Sequence, residues 1–305
     1  MKFIHQSQLD KQNWDKFVDE NGQDIFQYSW YLDSCAPDWC VLVDDKWENG
    51  IALPFNKHLG IENLSAVIFG RTLDFIGDDV AFQNKALEAI KTRFKAGKIH
   101  MQHQLTADQV KILTQNPPLE KVHQIIETEF KLGSQAKRML KKAEKEGILI
   151  REASDWKSII EIAENELSDK ISEFNELNLN RLRKLTQALS AADKLICLGI
   201  YEADKLSGGM LFIKTATANL YLKGSAFPDT KKHGGMYLCM NTFISQTIAD
   251  NKTFDFGGSS VEGVQRFNYN LGGKDKTYFV YEWNRTPWWY QVAKNTYHLM
   301  KKIKN

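Results

Sequence analysis

The apolar positions of this chain switch between helical and strand-like spacing along its whole length. Near the start, Trp14, Phe17 and Val18 recur at helical spacing, with Asp10 placed as an N-cap and Gly22 beyond the last turn. A short helix over 26–32 stops before Pro37. Runs at 39–43 and 51–55 read as strands joined by the polar turn 44–50, and 64–69 and 73–76 read as two more. Asp79 opens a helix running to Gly97, with Ala86, Leu87, Ile90 and Phe94 on one face. Strand 98–104, helix 106–113 and strand 122–128 complete a mixed α/β half.

The second half begins with a helix bracketed by Ser134 and Gly147, with neither glycine nor proline between them. Met139, Leu140 and Ala143 form a narrow apolar stripe, and Lys137, Arg138, Lys141, Lys142 and Lys145 supply a basic face. A solvated charged face is the plain reading of that run, since no aromatic residues are interleaved with it. Strand 148–151 and helices 155–167 and 177–189 follow. Three strands come next, at 195–201, 208–214 and 219–226, the first two joined by a polar turn at 203–205. A loop then ends in Gly234-Gly235 and opens a helix over 236–248 that is apolar on most faces, as packing against a sheet requires. Strand 254–256, helix 261–270 and strand 277–283 lead to a last helix. Thr286 is its N-cap, Pro287 its first residue, and Trp289, Val292, Ala293, Thr296, Tyr297, Met300 and Ile303 its stripe.

At roughly 150 residues per domain, the 305 residues suggest two domains. A hydrophobic fraction of 43% and a charged fraction of 26% are ordinary for a globular chain. The net charge of +2 creates no global field toward nucleic acid or anionic lipid, so any polyanion site must be a local patch. No apolar run approaches the ~18 residues of a membrane span, and the first residues turn polar at once, so a cytoplasmic protein is expected. Cys35, Cys40, Cys197 and Cys239 fit that compartment as reduced, packed thiols, and no metal site is expected from their spacing. His100 and His103, three apart on a strand, point to opposite faces and share no metal. Oligomeric state is not readable from the sequence.

Three short segments carry chemistry. The first is Lys231-Lys232-His233-Gly234-Gly235-Met236-Tyr237. A helix N-terminus offers amides without intrahelical partners and a partial positive charge, glycine lets a ligand approach the backbone, and the upstream cations add charge. The second is Phe254-Asp255-Phe256-Gly257-Gly258-Ser259-Ser260. Alternation turns Asp255 away from its flanking phenylalanines, and Ser259 or Ser260 can cap the next helix. Asp255 either orients an amine and takes its proton or binds the amides of the glycine turn. The third is Phe267 to Gly273, where Asn268 can donate a hydrogen bond but neither a proton nor a charge at neutral pH. Asn268 and Asn270 also suit a solvent-facing helix surface.

The order of these segments resembles the Fem-type peptidoglycan aminoacyl-transferases, which are tandem acyltransferases of the GNAT superfamily. The strand Ile51-Ala52-Leu53-Pro54-Phe55-Asn56-Lys57-His58-Leu59-Gly60 and the basic helix after Ser134 resemble theirs as well. The resemblance is loose before Ser134 and better after it. It implies an α/β architecture of two tandem GNAT-like domains, 1–133 and 134–286, each a mixed sheet flanked by helices. Residues 287–305 would form a helix packing back on the first domain. It further implies a bacterial N-acyltransferase moving an acyl group from acyl-CoA, such as acetyl-CoA, to a primary amine on a small-molecule or peptide-like acceptor, with no tightly bound cofactor. Phe227, Lys231, Lys232, His233, Gly234, Gly235, Met236 and Tyr237 would hold the donor, in a groove where strands splay beyond Phe227. Asp255, Ser259 and Asn268 would face the acceptor. Two alternatives stay open: an aminoacyl-tRNA-dependent transferase acting on a peptidoglycan precursor, and a binding protein on a degenerate transferase fold. Met236 replaces the last small residue of the GNAT phosphate turn. Asn268 replaces the family's tyrosine or lysine, which weighs against both family mechanisms in their usual form, and the missing lysine weighs against tRNA.

Overall fold

Asp10 accepts a hydrogen bond from the Asn13 amide and so starts the first helix, α1 (Lys11–Glu20), whose Trp14, Phe17 and Val18 are buried. The structure is a computed structural model that describes residues 1–22, 24–167, 175–258 and 261–292. The chain divides into two units: Met1–Lys121 together with Tyr278–Asn305, and Val122–Thr277.

In the first unit, β1 (Lys2–His5), β2 (Asp38–Val43), β3 (Gly50–His58) and β4 (Ile61–Leu64) pair in sequence, all antiparallel. β4 then pairs parallel with β5 (Ala96–Met101). β5 pairs antiparallel with the last strand, β12 (Lys274–Asn284), from Phe279 to Asn284. The helices are α1, α2 (Ser29–Cys35), α3 (Val80–Arg93) and α4 (Ala107–Leu113). Leu42, Leu53, Phe55, Leu87, Ile90, Phe94 and Trp283 pack into one core. Gly97 lies beneath the Trp283 indole, where a Cβ would stand 2.2 Å from the ring.

The spacing predicts strands over 64–69 and 73–76, and here the structure differs. After β4 the chain is irregular as far as Asp79, touching the sheet where Ile76 bridges Gly50. Phe69 and Gly77 sit at positive φ, which interrupts an extended run. The backbone finds partners singly: Leu73 N–H donates to His100 O, and the Asp74 carboxylate accepts from the Gln102 and His103 amides. α3 also ends at Arg93, short of Gly97, because Gly97 is already in β5.

In the second unit the order is β6 (Leu119–Ile126), β11 (Thr253–Gly257), β10 (Ala218–Ala226), β9 (Lys205–Lys214), β8 (Leu195–Glu202), β7 (Leu149–Glu152). Every pair is antiparallel except β10 with β11. On one face, α5 (Ser134–Lys145) and α9 (Gly235–Ala249) cover a core built on Phe212, Phe243 and Phe254. The Phe212 and Phe243 rings stack at 3.9 Å. α6 (Trp156–Leu167) lies on β9 and β10 from the other face, with Ile159 against Gly209. α7 (Glu176–Ala191), α8 (Pro228–His233) and α10 (Glu262–Asn270) complete the unit. All four cysteines are free and buried, and burial pushes the Cys40 and Cys197 thiols up to about 12. Of the C-terminal stripe, Trp289 and Val292 are exposed, and Ala293 onward lies outside the described residues.

Candidate functional site

The second unit's sheet forks. β10 pairs parallel with β11 only at Ala218–Thr253, Asn219–Phe254 and Leu220–Asp255. Past that point β10 stays with β9 as far as Ala226, while β11 stays with β6 as far as Gly257. Both partings carry an irregularity. The β9–β10 register slips between Tyr221 and Lys223, and the β11–β6 register between Asp255 and Gly257. A bulge bends its strand and sharpens the local twist, which drives two neighbours apart. The fork therefore opens at Leu220, well before Phe227.

Phe227 ends β10 and serves as the N-cap of α8, a helix where the sequence suggested a loop. Pro228 at its first position, Asp229 in its first turn and Lys231, Lys232 and His233 in its last turn all favour it. Gly234 closes α8 and caps α9 at φ +94°. A Cβ on Gly234 would stand 2.3 Å from the Met139 carbonyl oxygen of α5, and one on Gly235 would meet Thr230 Cγ2 at 2.7 Å. The glycine pair thus lets the end of α8 and the start of α9 pack against the middle of α5. The first backbone bond of α9 runs from Leu238 N–H to Gly234 O, so the amides of Gly235, Met236 and Tyr237 precede it.

The cations upstream are engaged. Lys231 pairs with Glu166 at 3.3 Å, Lys232 with Asp229 at 3.2 Å, and His233 with Glu202 at 3.2 Å. The positive charge beside α9 comes instead from α5, which packs on α8 and α9. Its Lys137, Arg138, Lys141, Lys142 and Lys145 are exposed and carry no ion pair among the described residues. Arg138 is near enough to Tyr237 to oppose the upward pull of burial on that phenol. The Tyr237 ring packs tilted against Phe267 with centroids 4.6 Å apart, Met236 is half-buried and Phe227 is exposed.

Asp255 sits at the apex of the fork. Its Oδ1 accepts from the Gly257 amide at 3.0 Å, and its Oδ2 lies 3.7 Å from Nε2 of the buried His123. Asn268 is buried, not solvent-facing, and its Nδ2 donates to Gln124 Oε1 at 3.1 Å. Gln124 Nε2 donates onward to Asp275 Oδ1 at 2.8 Å, which also accepts from the Tyr269 hydroxyl at 2.7 Å. Since side chains alternate along β6, His123 and Gln124 project to opposite faces. Asp255 and Asn268 therefore belong to two separate polar groups rather than one cluster. Ser259 lies outside the described residues.

His123 and Gln124 gave no signal in the sequence beyond being polar residues inside a strand. The α5 cations were visible, but their place beside α9 depends on tertiary packing.

Neither the family models nor the curated proteins give a match to this sequence. Solved structures do. FemX superposes with a TM-score of 0.63 at 13% identity, covering 93% of this chain and 98% of FemX. A tandem GNAT protein from the clavulanic acid biosynthesis pathway gives 0.54 at 12% identity, covering 94% and 99%. L-PGS from Bacillus licheniformis gives 0.55 at 10% identity, covering 91% and 93%. The chain has the fold of the Fem-like and tandem GNAT proteins, as the sequence resemblance implied. Among the described residues no helix is long and apolar enough to cross a membrane.

Proposed function

We propose that the protein is an N-acyltransferase in which an acyl-CoA lies along the fork between β10 and β11. The observation that carries this reading is the fork itself, three parallel residue pairs and then divergence, with β10 leading through α8 to the N-terminus of α9. A diverging strand pair leaves backbone groups available to a polar, extended donor, and the first amides of α9 suit its phosphates. Arg138 and Lys142 of α5 add charge beside them.

In the reaction the amine nitrogen attacks the acyl carbonyl carbon, the carbon–sulfur bond breaks to release the coenzyme A thiolate, and the proton given up by the amine ends on that sulfur. Asp255, with His123 at 3.7 Å, stands at the apex where the acyl end would arrive. A carboxylate there orients the amine and stabilises charge as its proton leaves. Holding donor and acceptor together supplies much of the rate. The buried Asn268 fixes Gln124 and, through it, the α10 side of the fork.

Aminoacyl-tRNA is the second reading, favoured by the five exposed cations of α5, which carry no ion pair among the described residues. Calorimetry of the full chain with coenzyme A separates the two. Saturable binding supports the first reading. A folded chain that ignores millimolar coenzyme A but retards tRNA at low salt replaces it with the second.

A further inference from the structure

The chain leaves β12 through a segment pinned to the first unit. Arg285 N–H donates to Lys95 O at 2.7 Å, and Asn284 Oδ1 accepts from the amide and the hydroxyl of Thr286. A helical turn starts at Trp288, where Tyr290 N–H donates to Pro287 O at 3.0 Å. Tyr290 is buried, its hydroxyl accepts from Asn63 Nδ2 of β4 at 2.9 Å, and its ring meets that of His58 on β3 edge-on at 6.0 Å. The turn is thus held both at its entry and at Tyr290.

That anchoring fixes which side chains stay outside. Trp288 is 78% exposed, and Trp289 and Val292 are exposed beside it. Trp289 and Val292 are the first two members of the apolar stripe, whereas Tyr290, the docked residue, is not on it. All eight tryptophans lie among the described residues, and only Trp288 and Trp289 are exposed. Large apolar side chains grouped in water mark a contact surface. The indole ring, apolar apart from one N–H, suits the boundary between water and lipid.

The charge around the turn narrows what it meets. Residues 293–305 lie outside the described residues, and their sequence holds Lys294, Lys301, Lys302 and Lys304 with neither aspartate nor glutamate. Just before the turn, Arg285 and its backbone partner Lys95 are exposed. The whole chain carries only +2, so these cations are a local concentration and not a share of a general field. A second copy of this chain would bring the same lysines face to face across a two-fold axis. An anionic bilayer answers both halves of the pattern, with negative headgroups for the lysines and an apolar layer beneath for the tryptophans. No run in 287–305 approaches the ~18 apolar residues of a span, so contact with the interface is the mode.

We propose that Trp288, Trp289 and Val292, with the lysines that follow them, dock the first unit onto an anionic lipid bilayer. No residue of this surface belongs to the fork or to α9, so it stands or falls separately from acyl transfer.

The test is co-sedimentation of the full chain with phosphatidylcholine vesicles, with and without phosphatidylserine. The chain should pellet with the mixed vesicles, stay in solution with the neutral ones, and be released by added salt. Trp288→Ser with Trp289→Ser should weaken partitioning about tenfold or more. The urea midpoint should match the wild type, because Tyr290 carries the docking. Lys301→Glu with Lys302→Glu should weaken partitioning about twentyfold or more, and this variant decides the matter even where the tryptophan pair disturbs the turn. The α5 cations are the rival positive patch, and Lys141→Glu with Lys145→Glu should change partitioning less than about twofold. The proposal is overturned if the chain ignores the mixed vesicles, if neither the tryptophan pair nor the lysine pair matters, or if the α5 change abolishes sedimentation. A dimer in ultracentrifugation that Trp288→Ser dissolves would also overturn it, in favour of a second copy.

Discussion

The Gly234 backbone lies directly against the Met139 carbonyl oxygen, so close that a Cβ would come within 2.3 Å of it. Gly234 also holds φ +94°, where a side chain is strained whatever the space. Gly234→Ala should therefore cost at least ~2 kcal/mol and lower the urea midpoint. The α5–α8–α9 junction should loosen with it, read as faster amide exchange at the start of α9. An unchanged midpoint would mean that α5 does not cross there.

Asn268 is 3% exposed, with its amide donated to Gln124. Asn268→Ala should cost about 1–3 kcal/mol, because Gln124 Oε1 loses its donor. Asn268→Lys should cost more, since it places an ammonium beside that amide without a buried counter-charge of its own. If Asn268→Lys were stable and gained affinity for tRNA, the buried network would be a relic of that chemistry.

The α5 cations and the α8 cations make opposite predictions. Arg138→Glu with Lys142→Glu should leave stability within about 0.5 kcal/mol, because both side chains are exposed. The double change should weaken coenzyme A binding several-fold and flatten its salt dependence. Lys231→Ala removes a cation already paired with Glu166, so coenzyme A affinity should move less than about twofold. Calorimetry at two salt concentrations distinguishes these outcomes, and a larger effect from Lys231 would return the donor phosphates to α8.

His100 sets an acid limit on the first unit. Burial lowers it from 6.5 to about 4, so between those values the unfolded chain takes up a proton that the fold excludes. The stabilisation is complete above about pH 6.5 and is lost as pH falls toward 4. Allowing for partial solvent contact, the loss is on the order of 2 kcal/mol. His100→Gln should flatten the dependence of the urea midpoint on pH across this window, and an equally steep slope in the variant would assign the effect to another group.

Much of the fold was legible because its signals are local. Asp10, Asp79 and the Thr106–Gln109 capping box begin helices where the spacing placed them. Pro228 at the start of α8 was equally readable, yet the glycine pair beyond it drew the segment toward a loop. The candidate site was harder to read because its features are relational. Gly234 is visible as glycine, but the Met139 carbonyl that demands it comes from α5. Glu166 and Glu202, which pair with Lys231 and His233, come from two other elements far back in the chain. The fork depends on where a parallel register stops, and no residue announces that.

The place of β12 in the chain has a consequence for synthesis. β5 ends at Met101, but its partner stretch in β12, Phe279 to Asn284, is made after every other described strand. At about 5–20 residues per second, a ribosome leaves β5 waiting for many seconds with one edge bare. Unpaired edges are what neighbouring nascent chains add to. The first unit's sheet is thus sealed only after the second unit has been made, and truncated or stalled products should be the species that chaperones retain.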